Sequence, residues 1–186
     1  LVALHAPCQA PCAEPAASRG PGEHLGYGGT YTGAESKGIY FFRLDASTGK
    51  ATPPTLAAET SSPSFLALHP SFRFLYAANE TGKFSGKERT GGVSAFALDR
   101  ASGKLTPLNQ QPSGGAAPCH LVVDAAGKHV IVANYEGGNM AAFRIQDDGS
   151  LGERTAFVQH EGSSVAPRRQ QAPHAHGICL DPANRF

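Results

Sequence analysis

The chain has no tryptophan, a single methionine and only 17 % charged residues. Sixteen Lys and Arg stand against fifteen Asp and Glu, for a formal net charge of +1. Polyanionic partners select a basic excess, so this balance argues against nucleic acid or an anionic membrane surface. No apolar run approaches the ~20 residues that span a bilayer. Long segments with helical periodicity are missing as well. The opening stretch, 1–24, has no basic start and is interrupted by Pro7, Pro11, Pro15 and Pro21. That pattern does not fit a secretory signal; it reads as a disordered leader outside the fold. Four cysteines stand at 8, 12, 119 and 179, and no pair has the C-x-x-C spacing of a zinc or redox site. Cys119 and Cys179 fall in apolar, strand-like segments, where a free thiol is expected to act as a small core residue. Nothing calls for an oxidising compartment, so the expected location is the cytoplasm.

What the chain does have is glycine (22 residues), proline (14 residues) and a repeat. Pro63, Pro118 and Pro173 recur at a constant interval of 55 residues. Each opens the same kind of segment: PSFLALHPSFRFLYAAN at 63–79, PCHLVVDAAGKHVIVAN at 118–134 and PHAHGICLDPANRF at 173–186. A second element recurs between them, GIYFFRLDASTGK at 38–50, GVSAFALDRASGK at 92–104 and, more loosely, GNMAAFRIQDDGS at 138–150. In the best-defined copy this predicts four strands at about 64–69, 73–79, 92–99 and 105–111, separated by Gly, Ser, Asp or Pro turns. Four antiparallel strands in each repeat of about 45–55 residues is the signature of a propeller blade. The expected fold class is therefore all-β, a β-propeller of four-stranded antiparallel blades. Residues 25–186 would supply its N-terminal portion, about three blades of a ring still incomplete at Phe186. The chain enters at a second strand, because Tyr27–Tyr31 aligns with Tyr76–Glu80. A β-sandwich would account for the strand content but not for the 55-residue echo.

Topology selects the candidate site. The first strand of a blade leaves one face and the second returns to it, so residues opening first strands meet residues ending second strands on a single rim. The openers are Cys119, His120, His174 and His176; the closers are Thr30, Tyr31, Asn79, Glu80, Asn134 and Tyr135. His69 and Asp124 close first strands on the opposite face and read as turn formers. DASTGK and DRASGK read as hairpin turns, since they lack both Walker spacing and a following helix.

The segments GTYTG at 29–33, PSFLALHP, GGVSAFALD, PCHLVVD, VANYEGG and RQQAPHAHGICLDPANRF together resemble the lactonase family with seven-bladed propellers, the bacterial 6-phosphogluconolactonase type. The resemblance covers nearly all of 26–186. It departs at Gly177, where the family has mostly Ser, and near Gln171, where an acidic residue is common. It implies hydrolysis of 6-phosphoglucono-δ-lactone to 6-phosphogluconate in the pentose phosphate route, with a small sugar lactone as partner and no cofactor. Lactone opening needs a base for the attacking water and a donor or cation for the developing oxyanion. The expected catalytic groups are His176, matched by the resemblance to the histidine of a related propeller cycloisomerase, and Glu80. Arg169 is expected to grip a phosphate or carboxylate, and His174, His120, Asn134 and Tyr135 to line the substrate site. A solvated loop arginine, a turn-capping glutamate and strand-end amides are the structural alternatives for Arg169, Glu80 and Asn134. His174-x-His176 could approach a metal, but a competent site needs three or four ligands, so none is expected. A lactonase or lactonising cycloisomerase acting on another carboxylated substrate, or a non-catalytic binding platform, fits the same fold.

Overall fold

A computed structural model describes residues 22–166 and 168–181, and the 1–21 portion of the expected leader lies outside them. Every strand pairing is antiparallel, and no helix occurs among the described residues. The first sheet holds β1 (Glu23–Gly28), β2 (Gly38–Asp45) and β3 (Thr55–Glu59) in that order. The second is a four-stranded blade of β4 (Pro63–Leu68), β5 (Phe74–Asn79), β8 (Gly92–Leu98) and β9 (Leu105–Pro112). A two-stranded hairpin, β6 (Lys83–Phe84) with β7 (Lys87–Glu88), interrupts it between β5 and β8; the sequence pattern gave no sign of this. The third sheet repeats the blade with β10 (Pro118–Val123), β11 (His129–Asn134), β12 (Asn139–Ile145) and β13 (Leu151–Gln159).

Two boundaries differ from expectation. β1 starts at Glu23, inside the segment read as leader, because Glu23 and His24 pair with Asp45 and Leu44 and Glu23 forms an ion pair with Arg43. The third copy of the repeat runs from Pro173 to Asp181 without a ladder. In both complete blades the first strand is held by the second, and no such partner is present for this copy among the described residues.

The blades stack through alternate residues of the same strands, as a period of two requires. On β5, Leu75 and Ala77 join Ile39, Ala58, Phe96 and Leu105 between the first and second sheets. Phe74, Tyr76 and Ala78 face the other way, against Leu121, Val130, Val132 and Phe143 of the third. Both faces of β5 are therefore buried, which explains its unbroken apolar run where a half-exposed strand would alternate. A polar latch accompanies this packing. The Tyr27 hydroxyl donates to the Gly103 carbonyl (2.8 Å), and Tyr76, at the aligned position, donates to the Gly149 carbonyl (2.9 Å), each reaching the hairpin turn of the next blade.

On the face opposite the rim, turns behave as expected. The Asp124 carboxylate accepts from the Lys128 and His129 amides. Burial pushes this carboxyl up, but those amides and the His129 imidazole outweigh it and hold it below its ordinary value. His69 bonds Ser71 and donates through Nε2 to the Gly127 carbonyl. In DASTGK the Ser47 and Thr48 hydroxyls and amides cap Asp45 and bring its carboxyl down to about 2.

Candidate active site

β4 and β10 open with the same irregularity. Pro63 pairs with Asn79 and Pro118 with Asn134, after which the register skips one residue to Phe65 and His120. The skipped residue in the second case is Cys119. A bulge of this kind re-aims side chains beside a strand end. It turns Cys119 out of the core and onto the rim, contrary to the expectation of a small core thiol. The thiol lies 3.6 Å from the Ala175 carbonyl oxygen and 3.8 Å from that of His176. Burial and then the nearby Glu80 carboxylate raise its pKa, so it is poorly suited to act as a nucleophile. Cys179 is also no core residue; it is exposed.

The strand-end amides are structural. Asn79 donates to the Thr60 hydroxyl and the Ser61 carbonyl, and accepts from Ser94. Asn134 repeats this role, donating to the Ser113 carbonyl and to Asn139 Oδ1. Its side chain is fully buried inside the blade, so it pins the rim instead of lining the substrate site as expected.

The residues just beyond these amides face outward, and the structure brings them together with the openers. Tyr31, which is 66 % exposed, donates its hydroxyl to Glu80 Oε2 at 2.8 Å. That bond to a carboxylate raises the Tyr31 pKa and keeps it a donor. Tyr135 is the centre of a second group. Its ring stacks on His174 (centroids 4.4 Å apart, 19° between planes) and meets His176 edge-on at 5.5 Å. Arg169 Nη2 donates to its hydroxyl across 3.4 Å, and its backbone carbonyl accepts from His174 Nδ1 at 3.0 Å. A carbonyl has no proton to give, so His174 donates through Nδ1, and in the neutral tautomer this leaves Nε2 bare. His120 packs its ring on Phe65 at 4.2 Å, and the Ile178 amide donates to its Nδ1 at 3.3 Å. Burial and then His176 lower the His120 pKa, favouring the neutral ring. Tyr31 and Cys119 were legible only as strand-end and strand-opening positions. The contact of Tyr31 with Glu80 and the bulge at Cys119 have no sequence signal.

Local backbone explains why the His174–His176 segment docks here. Gly138 has φ +59°, and a Cβ there would come within 2.5 Å of the Pro173 carbonyl oxygen. The 160–172 loop after β13 closes on itself through the Ser164 amide to the Gln170 carbonyl and the Arg169 and Gln170 amides to the Ala166 carbonyl. With Tyr135 and His174 it forms an open cleft of about 570 Å³, into whose wall Arg169, Ser163, Ser164 and Glu161 are built. No group of three or more His, Cys, Asp or Glu side chains among the described residues is placed to hold a metal ion.

The profile of the family described as Lactonase, 7-bladed beta-propeller, matches residues 26–186. The 6-phosphogluconolactonase of Bacillus subtilis is 35 % identical over 164 residues, 88 % of this chain and 45 % of that protein. A crystal structure of a putative 6-phosphogluconolactonase from Bacteroides fragilis superposes with a TM-score of 0.79 at 37 % identity, covering 88 % of this chain and 44 % of that one. The periplasmic gluconolactonase PpgL of Pseudomonas aeruginosa superposes with a TM-score of 0.77 at 32 % identity, covering 87 % and 45 %. The chain thus spans somewhat less than half the length of these relatives. Its paired antiparallel blades, its rim of histidines and the match over residues 26–186 place the chain in the lactonase family of seven-bladed β-propellers.

Proposed function

We propose that this chain contributes to a site that hydrolyses 6-phosphoglucono-δ-lactone to 6-phosphogluconate. The observation that carries the reading is the convergence of Glu80, His120, Tyr135, Arg169, His174 and His176 on one rim through Tyr135, Cys119 and the docked 173–178 segment. The names of the relatives supply the substrate. In the reaction a water oxygen bonds to the lactone carbonyl carbon, and the ring C–O bond breaks. The proton leaving the water ends on the departing ring oxygen, so one imidazole can serve first as base and then as acid. His176 is assigned that role because its exposed ring is held edge-on by Tyr135 and neither ring nitrogen has a hydrogen-bond partner among the described residues. Glu80, held by Tyr31, is the alternative base. Arg169 faces the cleft with two serine hydroxyls, a donor set suited to a phosphate. We place the reaction in the cytoplasm, where sugar phosphates are made.

A second reading, hydrolysis of the unphosphorylated gluconolactone, is favoured by the likeness to the Pseudomonas protein. One assay separates the two. The intact protein is given phosphorylated and plain gluconolactone, with spontaneous opening subtracted. The first reading expects a clear preference for the phosphorylated lactone, and R169A raising KM for it at least tenfold while leaving the plain lactone unchanged. Equal kcat/KM on both lactones would favour the second reading. Equal losses on both in R169A would move Arg169 from the phosphate to the oxyanion.

A further inference from the structure

His120 has a proton inventory that the reaction above does not use. Its Nδ1 accepts the Ile178 amide proton, and an amide cannot accept in return, so that nitrogen is bare. The neutral ring must then carry its proton on Nε2. No described residue accepts a hydrogen bond from that Nε2. This is the reverse of His174, whose proton is fixed on Nδ1 by the Tyr135 carbonyl. Two imidazoles on one rim are thus locked by backbone partners into opposite tautomers, one a donor and one an acceptor. The locks are built into the fold. β10 brings His120 in just past the bulge, and the segment docked against Cys119 supplies the Ile178 amide.

We propose that His120 is a neutral hydrogen-bond donor to the lactone carbonyl, its Nε2–H stabilising the oxyanion that forms as water adds. This rests on the lactonase reading of the site. A neutral donor suits the task because it presents a proton without being consumed as an acid, and a fixed tautomer needs no reorganisation as charge develops. Burial and His176 both work against protonation of the ring, which keeps Nδ1 free to hold the Ile178 amide. The ring packs on Phe65, so its position is set by contact as well as by hydrogen bonding. His176, His174 and Glu80 remain available for proton transfer, and donor and base are separate residues.

The test uses two variants of the intact protein and one spectrum. H120F keeps an aromatic ring against Phe65 and removes the donor. It should lower kcat about 10²–10³-fold, the usual cost of one oxyanion donor, with KM changed only a few-fold. H120Q restores an N–H near the Nε2 position and should recover at least tenfold of that loss. Wild-type kcat in H120F would overturn the proposal, and so would H120Q as inactive as H120F, which would make the ring a base. ¹⁵N spectra of histidine-labelled protein at neutral pH should show His120 as the Nε2–H tautomer. A protonated or absent-proton pattern of the opposite kind, Nδ1–H alone or both nitrogens protonated, would overturn the proposal regardless of activity. Wild-type protein inert toward every lactone would sink the lactonase reading and the oxyanion role with it, whereas an active wild type with an indifferent H120F sinks only the latter.

Discussion

Tyr135 shows how much one side chain can organise. It was expected to line the substrate site, and it sits between Arg169, His174 and His176, touching all three. Its backbone carbonyl also decides which nitrogen of His174 is bare. His176 is exposed and contributes little packing, so H176A should fold normally. We expect a loss of roughly 10²–10⁴ in kcat for lactone hydrolysis, the usual yield of a positioned acid or base. The measurement is a steady-state assay beside a thermal melt. An unchanged Tm with an unchanged rate would pass the role of base to Glu80. His120, His174, His176 and Glu80 could be assigned to one rim because strand order alone decides which residues share it; Arg169, in the 160–172 loop, came from the family resemblance instead. Asn134 was not separable from them by pattern. A strand-end amide can face outward or inward, and only the bonds to Ser113 and Asn139 decide.

At the scale of elements, the 135–138 turn between β11 and β12 abuts the segment that carries His174 and His176. Gly138 combines a positive φ with close approach to Pro173. G138A should cost about 1 kcal/mol from backbone strain and, in addition, push the 173–176 stretch off Tyr135. The expected result is a fall of at least tenfold in kcat with a Tm loss of a few degrees. G49A is the control: φ is +69°, but a Cβ there meets nothing within 4 Å, so only the strain term applies. G49A should lose similar stability and keep full activity; matching activities in the two variants would refute the positioning role of Gly138. The strands of the two complete blades were legible, because apolar runs bounded by Gly, Ser, Asp or Pro turns mark them. The bulges after Pro63 and Pro118 were not, since a bulge depends on what the neighbouring strand offers. The β6–β7 hairpin was missed for a related reason: two-residue strands leave no period to detect.

For the molecule as a whole, cohesion depends on sheet-to-sheet contacts, since no hydrogen-bonded ladder joins one described blade to the next. The tyrosine latches bridge that gap. Tyr76 is fully buried, and its phenol, pushed up chiefly by burial, stays a donor across the physiological range. Y76F would leave the Gly149 carbonyl without this donor, so it should destabilise the protein by about 1–2 kcal/mol. Y27F removes the corresponding bond at a more exposed position and should cost less. Denaturant titrations of both variants check the ranking, and a Y27F loss equal to that of Y76F would show that burial does not set the latch's worth.

The 55-residue echo determined the blade, its strand order and the face on which openers and closers meet, because each of these follows from local pattern repeated along the chain. It also aligned Tyr27 with Tyr76 without revealing what either bonds. Tertiary structure decided the rest. The Tyr76 partner lies 73 residues away in sequence, the Tyr31 partner 49 and the His120 partner 58. Tautomers, buried amides and inter-blade latches depend on which groups arrive at hydrogen-bond distance after the sheets stack. That is a property of packed surfaces from different repeats, and a one-dimensional pattern does not contain it.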